Sequence, residues 1–114
     1  MKSENISSHT WGYYANLYDN NQKNYKVKKV LIQKGKKILL QSHTRCCKHW
    51  IICTGKAKLQ LEDKYIILSD NAHVFIPIDA KHSIENIGVQ DVEFIEIKLG
   101  QCLDEDDSIV HENE

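Results

Sequence analysis

Three side chains of this sequence could share one ion: Gln41, His43 and His82. Residues two apart on a β-strand face the same way, so Gln41 and His43 point to one side of a strand together. An amide oxygen and two imidazoles converging inside a barrel would resemble an oxygen and nitrogen metal site. Lys48 and His49 differ in parity and so face opposite sides of their strand. His49 and Trp50 read as wall or core packing, His73 as a surface or rim residue, and His9 and His111 as parts of loose chain ends. The cysteines Cys46, Cys47, Cys53 and Cys102 show no CxxC and no even spacing. Adjacent cysteines rarely meet disulfide geometry with each other. All four therefore read as free thiols of a reducing compartment rather than as a disulfide framework or a zinc–thiolate site.

The elements that must position these groups are strands. Segments rich in Val, Ile, Leu and Tyr run for a few residues and stop at polar or Gly positions. The pattern predicts strands near 26–33, 37–42, 49–54, 56–61, 64–68, 73–77, 81–86 and 91–98. Gly35, Gly55, Asp70-Asn71 and Gly88 mark breaks, and Glu62-Asp63 between Leu61 and Lys64 suits a tight hairpin. No segment sustains helical periodicity. Short, evenly spaced strands with turn signals make an all-β fold, and eight of them suit a jelly-roll barrel. Gly12 to Tyr18 fits either a short helical turn or an edge strand. Residues 1–10 read as a flexible arm, 11–110 as one domain and 111–114 as an acidic tail, with a further acidic run at 104–107.

At 114 residues the chain holds one domain and not two. Its 15 Lys+Arg against 16 Asp+Glu give no electrostatic case for nucleic acid or an anionic membrane surface. The longest apolar stretches, such as Val30-Leu31-Ile32 and Trp50 to Cys53, are too short to span a bilayer. Met1 to Thr10 is polar and lacks an apolar signal core. A cytoplasmic protein is expected, with no nucleic-acid or membrane partner. A chain this short buries a modest share of its surface, so a homodimer is expected as well.

Spacing narrows the reading. Gly35 is followed by five residues and Gln41, one residue and His43, four residues and Lys48, then six residues and Gly55. Pro77, Asp79, His82 and Asn86 follow in the order of a second motif. The two together resemble the paired motifs of the cupins, with Gln41 at the first ligand position, Lys48 at the glutamate position and Asp79 at a glycine position. Longer segments carry the resemblance further: Trp11-Gly12-Tyr13-Tyr14-Ala15-Asn16-Leu17-Tyr18, Tyr25-Lys26-Val27-Lys28-Lys29-Val30, the run from Gln41 to Trp50, the run from Ile76 to Asn86, and the ending from Leu103 to Val110. These are similar to the type II mannose-6-phosphate isomerase domain that ends the bifunctional mannose-6-phosphate isomerase/mannose-1-phosphate guanylyltransferases. The resemblance covers roughly residues 10 to 110 and implies a single cupin jelly-roll barrel, a double-stranded β-helix. The Gly-rich nucleotidyltransferase domain of the bifunctional enzymes has no counterpart here, so guanylyltransferase activity is not expected.

In that family a divalent metal sits on Gln, His, Glu and His, which carry over to Gln41, His43, Lys48 and His82. The implied reaction interconverts mannose 6-phosphate and fructose 6-phosphate. It needs a base, a cation for the developing oxyanion, and positive charge for the phosphate. Lys26 or Lys28 would supply that last charge. Lys48, His82 and Ser83 occupy the positions carried over as catalytic, Ser83 standing where the family has an Arg. Arg45 precedes Cys46, which stands at a first-motif Arg position.

An ammonium at Lys48 cannot ligate a metal. A unit-charge pair at ~4 Å in a partly screened site is worth about 4 kcal/mol, and a dication doubles the repulsion. Either Gln41, His43 and His82 hold a metal with a deprotonated Lys48 beside them, or the ammonium takes the metal's place and bonds to Gln41 and neutral imidazoles. The second keeps the electrostatic sense of the pocket and is the expectation here. Function follows the same fork: an isomerase feeding polysaccharide precursors, or a catalytically degenerate cupin binding a sugar phosphate or nucleotide sugar. A third reading, a metal-free isomerase or epimerase on nucleotide sugars, takes His49 as its base. Glu85 reads as a rim residue, and Tyr13, Tyr14 and Tyr18 as packing or sugar-pocket lining.

Overall fold

Residues 5–20, 22–101 and 108–112 are described by the computed structural model of the chain. Among them the chain forms β1 (Asn5–His9), β2 (Gly12–Asn20), β3 (Tyr25–Ile32), β4 (Lys37–His43), β5 (Cys46–Thr54), β6 (Ala57–Leu61), β7 (Lys64–Leu68), β8 (His73–Ile76), β9 (His82–Asn86), β10 (Val92–Gly100) and β11 (Ser108–Val110). All pairings are antiparallel. A six-stranded sheet runs β1-β2-β3-β10-β5-β8 and a five-stranded sheet runs β11-β4-β9-β6-β7. This is the all-β architecture expected from the strand pattern, in the double-stranded β-helix form that the resemblance implies.

Period-two burial explains why these segments pair as they do. On β5, Cys46, Lys48, Trp50 and Ile52 are buried while His49, Ile51 and Cys53 are exposed. On β10, Val92, Phe94, Glu96 and Lys98 are buried in the same rhythm. The core takes Val30, Ile32, Trp50, Ile52, Val92 and Phe94 from the larger sheet and Ala57, Leu59, Leu68 and Ile84 from the smaller one. Each large apolar side chain buried there contributes about 1.5–3 kcal/mol. Chemistry then changes along the same inner face. Ile32 and Val30 give way to Lys28, Phe94 to Glu96 and Lys98, and Trp50 to Lys48. The parity that buries the core at one end therefore carries charge into the barrel at the other.

Turn chemistry fits the positions that break the strands. Glu62 takes a φ of 56° in the β6–β7 hairpin. Asp79, at the motif's glycine position, takes a φ of 67°. Asp is among the few side chains that visit this left-handed region readily, which is why it can replace glycine there. Gly12 has a φ of 148°, and a Cβ on it would collide with the Leu31 carbonyl of the neighbouring strand.

Several expectations are corrected. The stretch from Gly12 is a strand but not an edge, because β1 covers it. Residues 5–9, expected as part of a loose arm, form that covering strand by pairing with β2. The end of the domain is also tied down. β11 pairs with β4, the His111 amide donates to the Leu40 carbonyl at 2.8 Å, and the Glu112 carboxylate accepts from the Leu40 amide at 2.6 Å. The acidic run at 104–107 and residues 113–114 lie outside the described residues. Cys47 and Cys53 are free thiols as expected, but Cys46 is disulfide-bonded. Sequence spacing gives no sign of that cross-link, and Cys102 lies outside the described residues.

Candidate functional site

The charged end of the barrel opens into a cavity of about 820 Å³. Strand register stacks its wall in rungs. Lys26, Lys98 and Lys48 lie directly opposite one another across β3, β10 and β5, and Lys28, Glu96 and Trp50 form the next rung. Like charges placed directly opposite on a sheet cost stability. A row of three lysines on one inner face is therefore a local violation of folding rules, of the kind that marks functional sites. Among the described residues the cavity lining includes five lysines and a single carboxylate, Glu96.

One hydrogen-bonded chain joins the two sheets. Ala80 accepts at its carbonyl from His82 Nδ1 at 2.9 Å. A carbonyl can only accept, so Nδ1 carries the proton and Nε2 presents its lone pair. Lys48 Nζ donates to that Nε2 at 3.2 Å and lies 3.5 Å from Glu96 Oε1. The same Oε1 accepts from the Trp50 indole at 2.9 Å. Burial would push the Glu96 carboxyl up, but Lys48, Lys28, Lys98 and the indole together pull it down to about 2. His82 is held near 3, first by burial and then by Lys48. His43 is also held near 3, by burial and then by Lys48 and Lys98. Both imidazoles are neutral at physiological pH.

The structure brings together Gln41, His43, Lys48 and His82. Gln41 sits opposite His82 across β4 and β9, and the His43 and His82 ring centroids are 5.7 Å apart. Lys28 lines the cavity, its Nζ 4.2 Å from the Tyr14 ring centroid. Lys26 lies 3.8 Å from Asp19, at the β2 side of the rung. Ser83 belongs elsewhere: the alternation of β9 turns it to the outer face, into a small groove with Gln60, Tyr65 and Glu85. His49 is exposed on the outer face of β5, its ring tilted against Phe75 with centroids 4.9 Å apart, and so cannot act as a base in the cavity. His9 is not loose but stacks on Trp11 at 4.8 Å beside the cavity mouth, and His111 pairs with Ser42 Oγ at 2.8 Å. Asn86, the last residue of the second motif, braces the fold by donating to the carbonyls of Ile32 and Gln90.

Glu96, Lys98 and Tyr14 complete the site and were not singled out as site residues from sequence, although Tyr14 was weighed as pocket lining. A signal existed for two of them: Glu96 and Lys98 continue the inward parity of Val92 and Phe94, so charges sit where the core pattern calls for apolar residues.

The residues present do not fit a divalent metal. The one lone pair that His82 can offer is taken by the Lys48 ammonium. Gln41 Oε1 already accepts from the Ser108 hydroxyl at 2.8 Å. Only His43 keeps an uncommitted ring, with cationic lysines beside it. Among the described residues no three His, Cys, Asp or Glu side chains cluster to hold a metal.

This two-sheet barrel, with its site enclosed between the sheets, defines a cupin. Solved structures similar to it share the same fold. The capsular polysaccharide assembling protein CapF from Staphylococcus aureus superposes with a TM-score of 0.84 at 16% identity, over 99% of this chain and 35% of CapF. A cupin-2 domain protein from Rhodospirillum rubrum superposes with a TM-score of 0.81 at 11% identity, over 96% of this chain and 76% of the other. Residues 2–113 match the family model of the mannose-6-phosphate isomerase C-terminal domain, and the chain belongs to that family. Mannose-1-phosphate guanylyltransferase 2 of Escherichia coli O157:H7 is 36% identical over 99 residues, 87% of this chain and 20% of the relative. The chain thus spans about a fifth of the length of that curated relative.

Proposed function

We propose that this cupin binds a phosphorylated sugar, as a sugar phosphate or a nucleotide sugar, without a metal and without isomerising it. One observation carries the reading: Lys28, Lys48 and Lys98 line the cavity together, against Glu96 as its single carboxylate among the described residues. Hydrogen bonds from ammonium groups to phosphate oxygens are the strong, charge-assisted kind, worth about 1.5–3 kcal/mol each. Aromatic rings at the mouth, Trp11 and Tyr14, offer apolar faces for a sugar ring. Relatives named for mannose 1-phosphate and for polysaccharide assembly support a ligand of this class.

Family membership is what favours the competing reading, a mannose-6-phosphate isomerase. Proton transfer between adjacent carbons works best with a base whose pKa lies near the working pH. His43 and His82, held near 3, and Glu96, held near 2, are poor bases. Lys48 supplies a fixed cation at the position the metal would occupy, which suits recognition of an anion better than turnover. The same reading includes a homodimer, supported by the exposed Tyr65, Ile66 and Ile67 on edge strand β7, and sedimentation analysis tests it.

Calorimetric titration with mannose 6-phosphate, mannose 1-phosphate, a guanosine-diphosphate sugar and unphosphorylated mannose, all in EDTA, tests the main claim. Saturable binding of at least one phosphorylated probe is expected, with none for mannose and no product in a coupled isomerase assay. Equal binding of mannose and its phosphates, or metal-dependent turnover, overturns it.

A further inference from the structure

We infer that His43 pairs with two hydroxyl groups of the bound sugar, one ring nitrogen donating to the first and the other accepting from the second, and so reads the sugar while the lysines hold its phosphate. The inference rests on the phosphorylated-sugar reading above. His43 is 3% exposed, and neither ring nitrogen has a hydrogen-bond partner. A buried polar group left in that state costs about 1–3 kcal/mol and calls for an explanation. Its neighbours are satisfied. His82 uses both nitrogens, on Ala80 and Lys48, Glu96 holds Trp50 and Lys48, and Gln41 holds Ser108. His43 lines the cavity, and it alone of this group has every polar side-chain atom buried without a partner.

Chemistry selects the ligand group. A neutral imidazole carries one donor and one acceptor. A hydroxyl also donates and accepts, so it can meet either nitrogen. A phosphate dianion only accepts and would leave one nitrogen bare. A cation would take the lone pair and leave the N–H bare. Sugar hydroxyls are the ligand groups of this reading that match. Water offers the same donors and acceptors, so the experiment must separate sugar from solvent.

Wild type, His43→Phe and His43→Gln are titrated with mannose 6-phosphate and with inorganic phosphate. His43→Phe is expected to weaken mannose 6-phosphate about tenfold or more while changing inorganic phosphate less than about twofold. His43→Gln, which keeps a donor and an acceptor, is expected to stay within about threefold of wild type for both. Parallel weakening of both probes by His43→Phe, or no weakening of either, overturns the inference and leaves phosphate binding intact. A wild type that binds neither probe removes the underlying reading and the inference with it. Should His43→Phe not fold, the ring 15N resonances of His43 in the wild type decide. A shift on adding mannose 6-phosphate and none on adding phosphate supports the role, and equal response to both refutes it.

Discussion

Lys48 and His82 come from different sheets, yet the lysine Nζ lies 3.2 Å from the imidazole Nε2. The ammonium closes the barrel's polar end from inside, binding His82 on one side and Glu96 on the other at 3.5 Å. Removing it leaves a carboxylate buried beside Lys28 and Lys98 only, and an imidazole acceptor without its donor. Lys48→Met is therefore expected to lose about 3 kcal/mol of stability, the usual consequence of breaking a buried ion pair from one side. Urea denaturation checks this, and a loss below about 1 kcal/mol would show that the pair carries little.

Replacing the same ammonium by a carboxylate should reverse the metal preference of the site. Lys48→Glu frees the His82 lone pair and places a hard oxygen donor between His82 and His43. Elemental analysis of the purified variant is expected to find near-stoichiometric zinc or a similar ion, against a trace in wild type. Adding Ser83→Arg should change nothing at the cavity, because that side chain faces the outer groove. A metal-loaded wild type would contradict the view that Lys48 stands in for the ion.

Both imidazoles are neutral and buried in the fold but titrate near 6.5 when unfolded, so the unfolded chain takes up protons first as pH falls. Stability is thus fully present above about 6.5 and declines toward 3, at about 1.4 kcal/mol per pH unit for each histidine well inside that window. Glu96, depressed from 4.5 to about 2, adds its own loss below about 4.5, where the unfolded carboxylate protonates and the folded one does not. Urea denaturation from pH 8 to 3.5 should show a plateau, a decline from about 6.5 and a steeper decline below about 4.5. His43→Phe should roughly halve the slope between pH 6 and 5. A stability flat down to pH 5 would mean the imidazoles are charged in the fold.

The eight strands from β3 to β10 were legible in the sequence because each is an apolar-rich run that stops at polar or turn residues, as the run from Trp50 to Cys53 in β5 stops before Gly55. Asp79 was legible as a glycine replacement, and its φ of 67° supplies the physical reason. β1 and β11 were not legible, since Asn-Ile-Ser-Ser-His is mostly polar and Ser-Ile-Val is only three residues long, and they pair as strands with β2 and β4. The convergence of Gln41, His43, Lys48 and His82 followed from motif spacing. The place of Ser83 did not, because adjacency to His82 in the chain means the opposite face on a strand. Glu96 and Lys98 lie outside both motifs, and only the register with Lys28 and Lys48 shows what they face.

Two lysines of β3 could serve the phosphate, and the structure separates them. Lys28 is 6% exposed, reaches the cavity and lies over the Tyr14 ring at 4.2 Å, which restrains its ammonium before a ligand arrives. Such a cation–π contact is worth about 1 kcal/mol or more when desolvated, so less entropy is lost on binding. Lys26 sits at the far end of its rung, within 3.8 Å of Asp19, whose charge offsets its own. Lys28→Gln is expected to weaken a phosphorylated sugar about tenfold and to flatten the salt dependence of its affinity, whereas Lys26→Gln should stay within about twofold. Calorimetric titration of both variants at low and high salt makes the comparison. Equal losses would move the phosphate contact along the rung toward Lys98, where the Lys26 and Lys48 fields overlap and no single lysine dominates.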